Sequence, residues 1–159
     1  MEARARLWGR GKQAAVMLPC QEGRVLMQLR DQKPGIAFPG HWGFFSGSLE
    51  PGETPLMAAR RELGEELGLV VDRLCYLGLD LMQAGEEVAL HAFACALATR
   101  PDQLRLAEGL DLGLFAPEDL RAGRLYSART GRAYPVVDHP YIRYTVRRAL
   151  ASSLGRAGN

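Results

Sequence analysis

Along this chain, apolar residues gather first in runs of strand length and only later at helical spacing. QAAVMLPC (13–20) and RVLMQLR (24–30) are separated by QEG alone, which predicts a hairpin beginning with the apolar run 14–18. DQKPGIAFPGH (31–41) is punctuated by proline and glycine and reads as a loop. WGFFSGSL (42–49) reads as a short aromatic strand, and EPGE (50–53) as a turn. Thr54 and Pro55 then have the character of an N-cap and a first helical residue. The helix they open is expected to reach Leu67, with Gly68 as its C-terminal cap and Leu56, Ala59, Leu63 and Leu67 as its core stripe. LCYLGLDLMQ (74–83) and EVALHAFACALA (87–98) are two longer strands around AGE. LFAPEDL (114–120) reads as a strand end, a proline break and a short helix. HPYIRYTVRRALASSL (139–154) reads as a C-terminal helix presenting Ile142, Val146 and Leu150 on one face. Strands, helix, strands, helices in that order predict an α+β fold, an α/β/α sandwich around a mixed sheet.

Composition narrows the class without specifying a function. With 159 residues, 47% of them hydrophobic and 24% charged, the expectation is one globular domain over 1–159. A formal charge of +2 gives no argument for a nucleic-acid or membrane partner. The run 14–18 is too short for a signal-peptide core, and no apolar run of about 18 residues occurs to span a membrane. Cys20, Cys75 and Cys95 form no CxxC pair and are expected as buried, reduced thiols in a cytoplasmic protein. His41, His91 and His139 share no metal-ligand spacing.

One helix stands apart. In RRELGEELGL (60–69), Glu62, Glu65 and Glu66 fall at i, i+3 and i+4, so their carboxylates converge on one face. Like charges at that spacing cost about 0.2–0.5 kcal/mol per pair. Gly64 between them costs about 1 kcal/mol relative to alanine. Something positive must offset this. Arg60 and Arg61 would do so as a solvated network; a hard divalent cation such as Mg²⁺ or Mn²⁺, which prefers oxygen ligands, is the alternative.

The residues upstream favour the cation. Gly47, five residues, Glu53, seven residues, Arg61-Glu62-Leu63, one residue, Glu65-Glu66, one residue, Gly68-Leu69: this matches every fixed position of the box that marks the Nudix hydrolase family. The chain therefore resembles that family, and the strand order and length extend the resemblance over most of it. The resemblance implies an α/β/α sandwich with a central mixed sheet, the box as loop–helix–loop, and a C-terminal helix. It implies metal-assisted attack of water on a diphosphate linkage in a nucleoside diphosphate derivative. By position, Glu62, Glu65 and Glu66 resemble the metal-binding carboxylates, Glu62 and Glu66 foremost. Glu53 resembles the loop glutamate, and Arg61 the arginine that holds the carboxylates in place. Gly47 would let the backbone pass close to the metal, with the Ser46 carbonyl as a further ligand. Phe45-Ser46-Gly47 departs from the family's usual Pro-Gly-Gly but keeps that carbonyl. The family's catalytic base varies; outside the box Glu86, Glu87 and Glu108 are candidates, with Glu108, just ahead of a strand, preferred. Dimers are common in the family, so a homodimer is among the expectations.

Substrate signals are weaker. Residues 56–99 lack the proline that tends to mark ADP-ribose hydrolases, and Tyr76 lies too near the box for the dinucleoside polyphosphate type. Signatures of the coenzyme A and NADH types are missing too. LRDQKPGIAFPGHWGFFSG (29–47) resembles the entry to the box in nucleoside-triphosphate and 8-oxo-dGTP diphosphatases and in some nucleotide-sugar hydrolases. Trp42 would offer a stacking surface for the base and Arg30 a contact for phosphate, whereas Phe44 and Phe45 are expected in the core. The expected function is thus a (d)NTP or 8-oxo-dGTP pyrophosphohydrolase, with a nucleotide-sugar or ADP-ribose diphosphatase as the alternative. A diphosphate isomerase on the same fold would need a histidine cluster that is missing here. A non-catalytic nucleotide-binding regulator would more usually carry a broken box.

Overall fold

The computed structural model describes residues 11–84 and 86–156. Its central sheet runs in the order β3 (Trp42–Gly43), β2 (Arg24–Leu29), β1 (Lys12–Gln21), β6 (Glu86–Ala96), β5 (Cys75–Ala84). Two more strands branch from it: β4 (Phe45–Ser48) pairs with β1, and β7 (Asp111–Phe115) pairs with β2. The expected hairpin is there. Cys20 pairs with Val25 and Gln21 with Arg24 across a two-residue turn in which Glu22 and Gly23 take φ of 50° and 71°. β1 runs parallel to β6 from Lys12↔Val88 to Cys20↔Ala96, and antiparallel to its other neighbours, so the sheet is mixed. On that other side β1 hands over from β4, last paired at Met17↔Phe45, to β2, first paired at Cys20↔Val25. Pro19, which has no N–H to give, falls in the gap.

β1 is apolar on both faces because both are covered. Val16, Leu18 and Cys20 join the core beneath α2 (Pro140–Ala151), with Ile142, Val146 and Ala149. Ala15 and Met17 join the core beneath α1 (Pro55–Leu67), with Ala58, Ala59, Leu63 and Leu67. The period-two split of one strand between two cores is the α/β/α sandwich in miniature. α1 starts and stops as its ends dictate. The Thr54 hydroxyl accepts from Met57 N at 3.2 Å, Pro55 opens the first turn, and Gly68 at φ 68° donates to the Gly64 carbonyl. α3 (Ser153–Arg156) closes the described chain.

Three expectations are corrected. Leu56 is 37% exposed and lies outside the core stripe of α1; Ala58 and the carboxylate-bearing Glu66 are buried instead, so the buried face is rotated toward the site. Cys75 is only partly buried, at the start of β5, while Cys20 and Cys95 are fully enclosed. The aromatic segment 42–49 is two short strands rather than one, paired to different neighbours. A hairpin of β8 (Arg124–Ser127) and β9 (Arg132–Pro135) has no counterpart in the sequence reading. It is seated by buried Asp111, which accepts from Ser127 Oγ at 2.7 Å and from Arg129 N at 3.3 Å. Among the described residues, no helix is long and apolar enough to cross a membrane.

Candidate active site

The box occupies the end of β4, the turn after it and α1. Its organiser is Arg61. Nε and Nη2 form a fork onto the two oxygens of Glu53 at 2.8 and 2.9 Å. Nη1 reaches Glu62 Oε1 at 2.7 Å and Glu65 Oε2 at 3.2 Å, and Nη2 also donates to the Ser48 carbonyl at 3.0 Å. Glu53 takes a further bond from Glu50 N at 3.0 Å, within the turn. Arg61, first, and then that amide hold the Glu53 carboxyl down to about 2. The repulsion among the acids of α1 is therefore offset on this side by an arginine, in a network that also ties helix to turn.

Glu66 is the exception. It is buried, its Oε2 has no hydrogen-bond partner, and it stands beside Glu62. Burial first, then the charges of Glu62 and Glu108, push its carboxyl well above the usual carboxylate range; Arg30 opposes them. An unpartnered buried carboxylate oxygen is costly unless something else completes it. Gly47 belongs to the same arrangement. A Cβ there would overlap the Glu62 carboxyl group, so the glycine makes room for that carboxylate against β4. This steric reason stands beside the expected one, a close pass of backbone to metal. Among the described residues, no three acidic, histidine or cysteine side chains already converge as a metal cage, since Arg61 draws three of the carboxylates toward itself. In kind the donor set nonetheless fits a hard divalent cation: oxygen-only, and with one buried oxygen unsatisfied.

Glu108 is held opposite. Ala107 N donates to the Glu66 backbone carbonyl at 3.0 Å, Gln28 Nε2 to the Glu108 carbonyl at 2.9 Å, and Leu110 N to the Leu29 carbonyl at 2.8 Å. Gln28, Arg30, Asp31, Lys33 and Glu108 line one polar cavity of about 190 Å³. Arg30 lines this cavity and also a second, mostly apolar one of about 200 Å³, which it shares with Ser46, Phe44 and Phe38. The fold thus brings Glu62, Glu66, Glu108 and Arg30 to one place, with Ser46 at its edge and Glu53, Glu65 and Arg61 on its flank.

Trp42 is not part of it. It is 1% exposed, donates Nε1 to the Leu125 carbonyl at 3.0 Å and meets Phe115 edge to face at 4.9 Å. The unforeseen β8–β9 hairpin covers it, so the expected stacking surface is a core residue. Phe44 and Phe45 are buried as expected. Glu86 pairs with Lys12 at 2.6 Å and Glu87 with Gln83, both at the exposed β5–β6 turn. His91 is half-buried between Gln13 and Tyr76, and His139 caps α2. Gln28 was missed; an amide in an otherwise apolar strand was the available signal.

The family model for the NUDIX domain matches residues 10–136. The chain belongs to the NUDIX family. Nudix hydrolases generally use a divalent metal. Over 67 residues it is 43% identical to the oxidized purine nucleoside triphosphate hydrolase of Danio rerio, spanning 42% of this chain and 41% of that protein. Over 134 residues it is 35% identical to an octanoyltransferase of Myxococcus xanthus, covering 82% of this chain and 33% of that protein. The chain thus spans less than half the length of either relative. Among solved structures, the MutT protein from Methanosarcina mazei superposes with a TM-score of 0.66 at 18% identity, over 87% of this chain and 91% of that one, a likeness of fold.

Proposed function

We propose that this Nudix domain is a nucleotide pyrophosphohydrolase acting on (deoxy)nucleoside triphosphates, with oxidised purines of the 8-oxo-dGTP kind as its preferred substrates. The observation that carries the reading is Glu66, a buried carboxylate with an unpartnered oxygen, set beside Glu62 and facing Glu108 and Arg30. Glu62 and Glu66, with Glu65 and the Ser46 carbonyl, would hold Mg²⁺, or Mn²⁺ in its place. That cation would neutralise phosphate charge and make a bound water more acidic. The chain's own groups account for the remainder. Arg30 meets a phosphate oxygen from the mouth of the apolar cavity. Water attacks phosphorus, the anhydride P–O bond breaks, and the proton from water passes to the Glu108 carboxylate, whose loop is already pinned by Gln28 and by α1. Arg61 and Glu53 keep the carboxylates at their stations rather than touching substrate.

The partial match to the oxidized purine nucleoside triphosphate hydrolase supports the choice of nucleotide. Octanoyl transfer is named for a protein of which this chain matches a third, and the site described above has no place in it. The alternative within the same chemistry is a nucleotide-sugar or ADP-ribose diphosphatase. A panel of nucleotides with Mg²⁺ or Mn²⁺, products identified by mass, separates them. Release of pyrophosphate and a nucleoside monophosphate from a triphosphate, abolished by EDTA, is the expected result. Cleavage of ADP-ribose or a nucleotide sugar alone would move the assignment, and turnover indifferent to EDTA would remove it.

A further inference from the structure

We infer that Phe38 is the platform on which the substrate's ring lies, and that the apolar cavity behind it takes a flat nucleobase rather than a sugar; this rests on the proposed function above. Phe38 has φ of 49°. Side chains other than glycine seldom adopt that region, and a bulky aromatic is among the least suited to it. The next residue is Pro39, which further restricts the backbone before it to extended conformations. The conformation persists because the loop is tied from both ends by Arg30. Arg30 Nε donates to the Ala37 carbonyl at 2.6 Å, Arg30 N to the His41 carbonyl at 2.9 Å, and Gly40 N to the Arg30 carbonyl at 3.2 Å. Strain maintained in this way concentrates at ligand-binding positions. Here it sets a half-buried aromatic ring on the wall of the cavity that begins at Arg30 and Ser46.

The lining decides the class of group that fits. Beyond Arg30 and Ser46 the walls are mostly apolar, Phe44, Met82, Leu90, Val137 and Ile142 among them, with the hydroxyl of Tyr141 as the one further polar side-chain group and no side-chain amide or carboxylate. Sugar hydroxyls placed there would lose water and find few partners. A purine or pyrimidine has apolar faces for Phe38, and its attached phosphates lead back toward Arg30 and the carboxylates. The same arginine that would meet phosphate also fixes the loop bearing the ring, so ring and phosphate are measured from one residue.

Kinetics of Phe38→Ala, Phe38→Gly and Phe38→Tyr test this on the triphosphate that the wild type hydrolyses. Inhibition by inorganic pyrophosphate, which has no ring, is followed in parallel. Loss of a stacked base raises KM by about tenfold or more in the alanine and glycine variants, with kcat within about threefold. The tyrosine variant keeps the wild-type KM, and the pyrophosphate inhibition constant stays unchanged throughout. Phe38→Gly also melts no lower than Phe38→Ala, because glycine takes the positive φ without strain. Unchanged KM in Phe38→Ala, or a pyrophosphate constant that rises with it, overturns the inference while leaving the proposed function standing. If the wild type hydrolyses no nucleotide, that function fails first, and calorimetry with a non-hydrolysable nucleoside triphosphate decides the pocket. Binding weakened by the same factor in Phe38→Ala upholds it; equal binding, or none by the wild type, overturns it.

Discussion

The two ends of the site are built differently. The acidic end lies within residues 47–69, and its contacts are mostly between neighbours on one turn and one helix: Arg61 with Glu53, Glu62 and Glu65. The cavity end is assembled from Ala14 in β1, Phe38 in a loop, Leu90 in β6 and Ile142 in α2. Local spacing places charge for the reaction, whereas long-range packing shapes the room for the leaving or retained group. Damage at the first end should therefore appear in turnover, and damage at the second in KM or in stability.

Glu66→Gln should give the largest effect. The amide keeps the shape of the side chain and loses the charge, so kcat should fall by about a hundred- to a thousandfold, the range found when one group stabilising a transition state is removed. The melting temperature should hold or rise, because burial already disfavours the charged form of Glu66. A fall of several degrees would instead make Glu66 a structural residue and erase the contrast between the two ends.

Arg61→Ala should come next. Residues that orient metal ligands typically cost about 10- to 100-fold in metal affinity or activity when removed, and here three carboxylates lose their common partner. Arg61→Lys should recover little, since an ammonium cannot reproduce the fork onto Glu53. KM for the nucleotide should stay near wild type at saturating metal. Acid unfolding reads the same group independently. Glu53 ionises near 4.5 when unfolded and near 2 when folded, a lowered value. The stability it contributes is thus complete above about pH 4.5 and lost as pH falls toward 2. Arg61→Ala should flatten that part of the pH–stability curve; an unaltered acid limb would deny Arg61 its hold on Glu53.

The contrast also explains what the sequence could show. α1, its Thr54 cap and its Gly68 stop follow from short-range rules, and each is where spacing placed it. β1 and β6 were legible as apolar runs, since a strand covered on both faces has no polar side to confuse the pattern. The misplacement of Leu56 came from a wheel that gave the buried stripe to apolar residues alone, when a carboxylate claimed part of it. The β8–β9 hairpin has short strands and a long-range anchor in Asp111, neither of which leaves a periodic mark. Missing it led directly to the misreading of Trp42, because an aromatic beside a glycine-rich loop looks open until its cover is known.

Trp42→Phe is the smallest effect and the sharpest boundary between the two ends. The substitution keeps an apolar ring against Phe115 but removes the indole N–H, leaving the buried Leu125 carbonyl without that donor. An unsatisfied buried acceptor and the lost ring volume should cost about 1–3 kcal/mol. In a domain of this size each kcal/mol corresponds to about 2–4 °C in melting temperature. Because the ring is enclosed by β8 rather than facing the cavity, KM and kcat should both stay within about twofold at a temperature well below the transition. A rise in KM without loss of stability would mean that Trp42 reaches the substrate, and that the hairpin above it opens during binding. Unchanged kinetics with a lower melting temperature would leave Phe38 as the aromatic that answers to the nucleobase, and Trp42 as the one that answers to the fold.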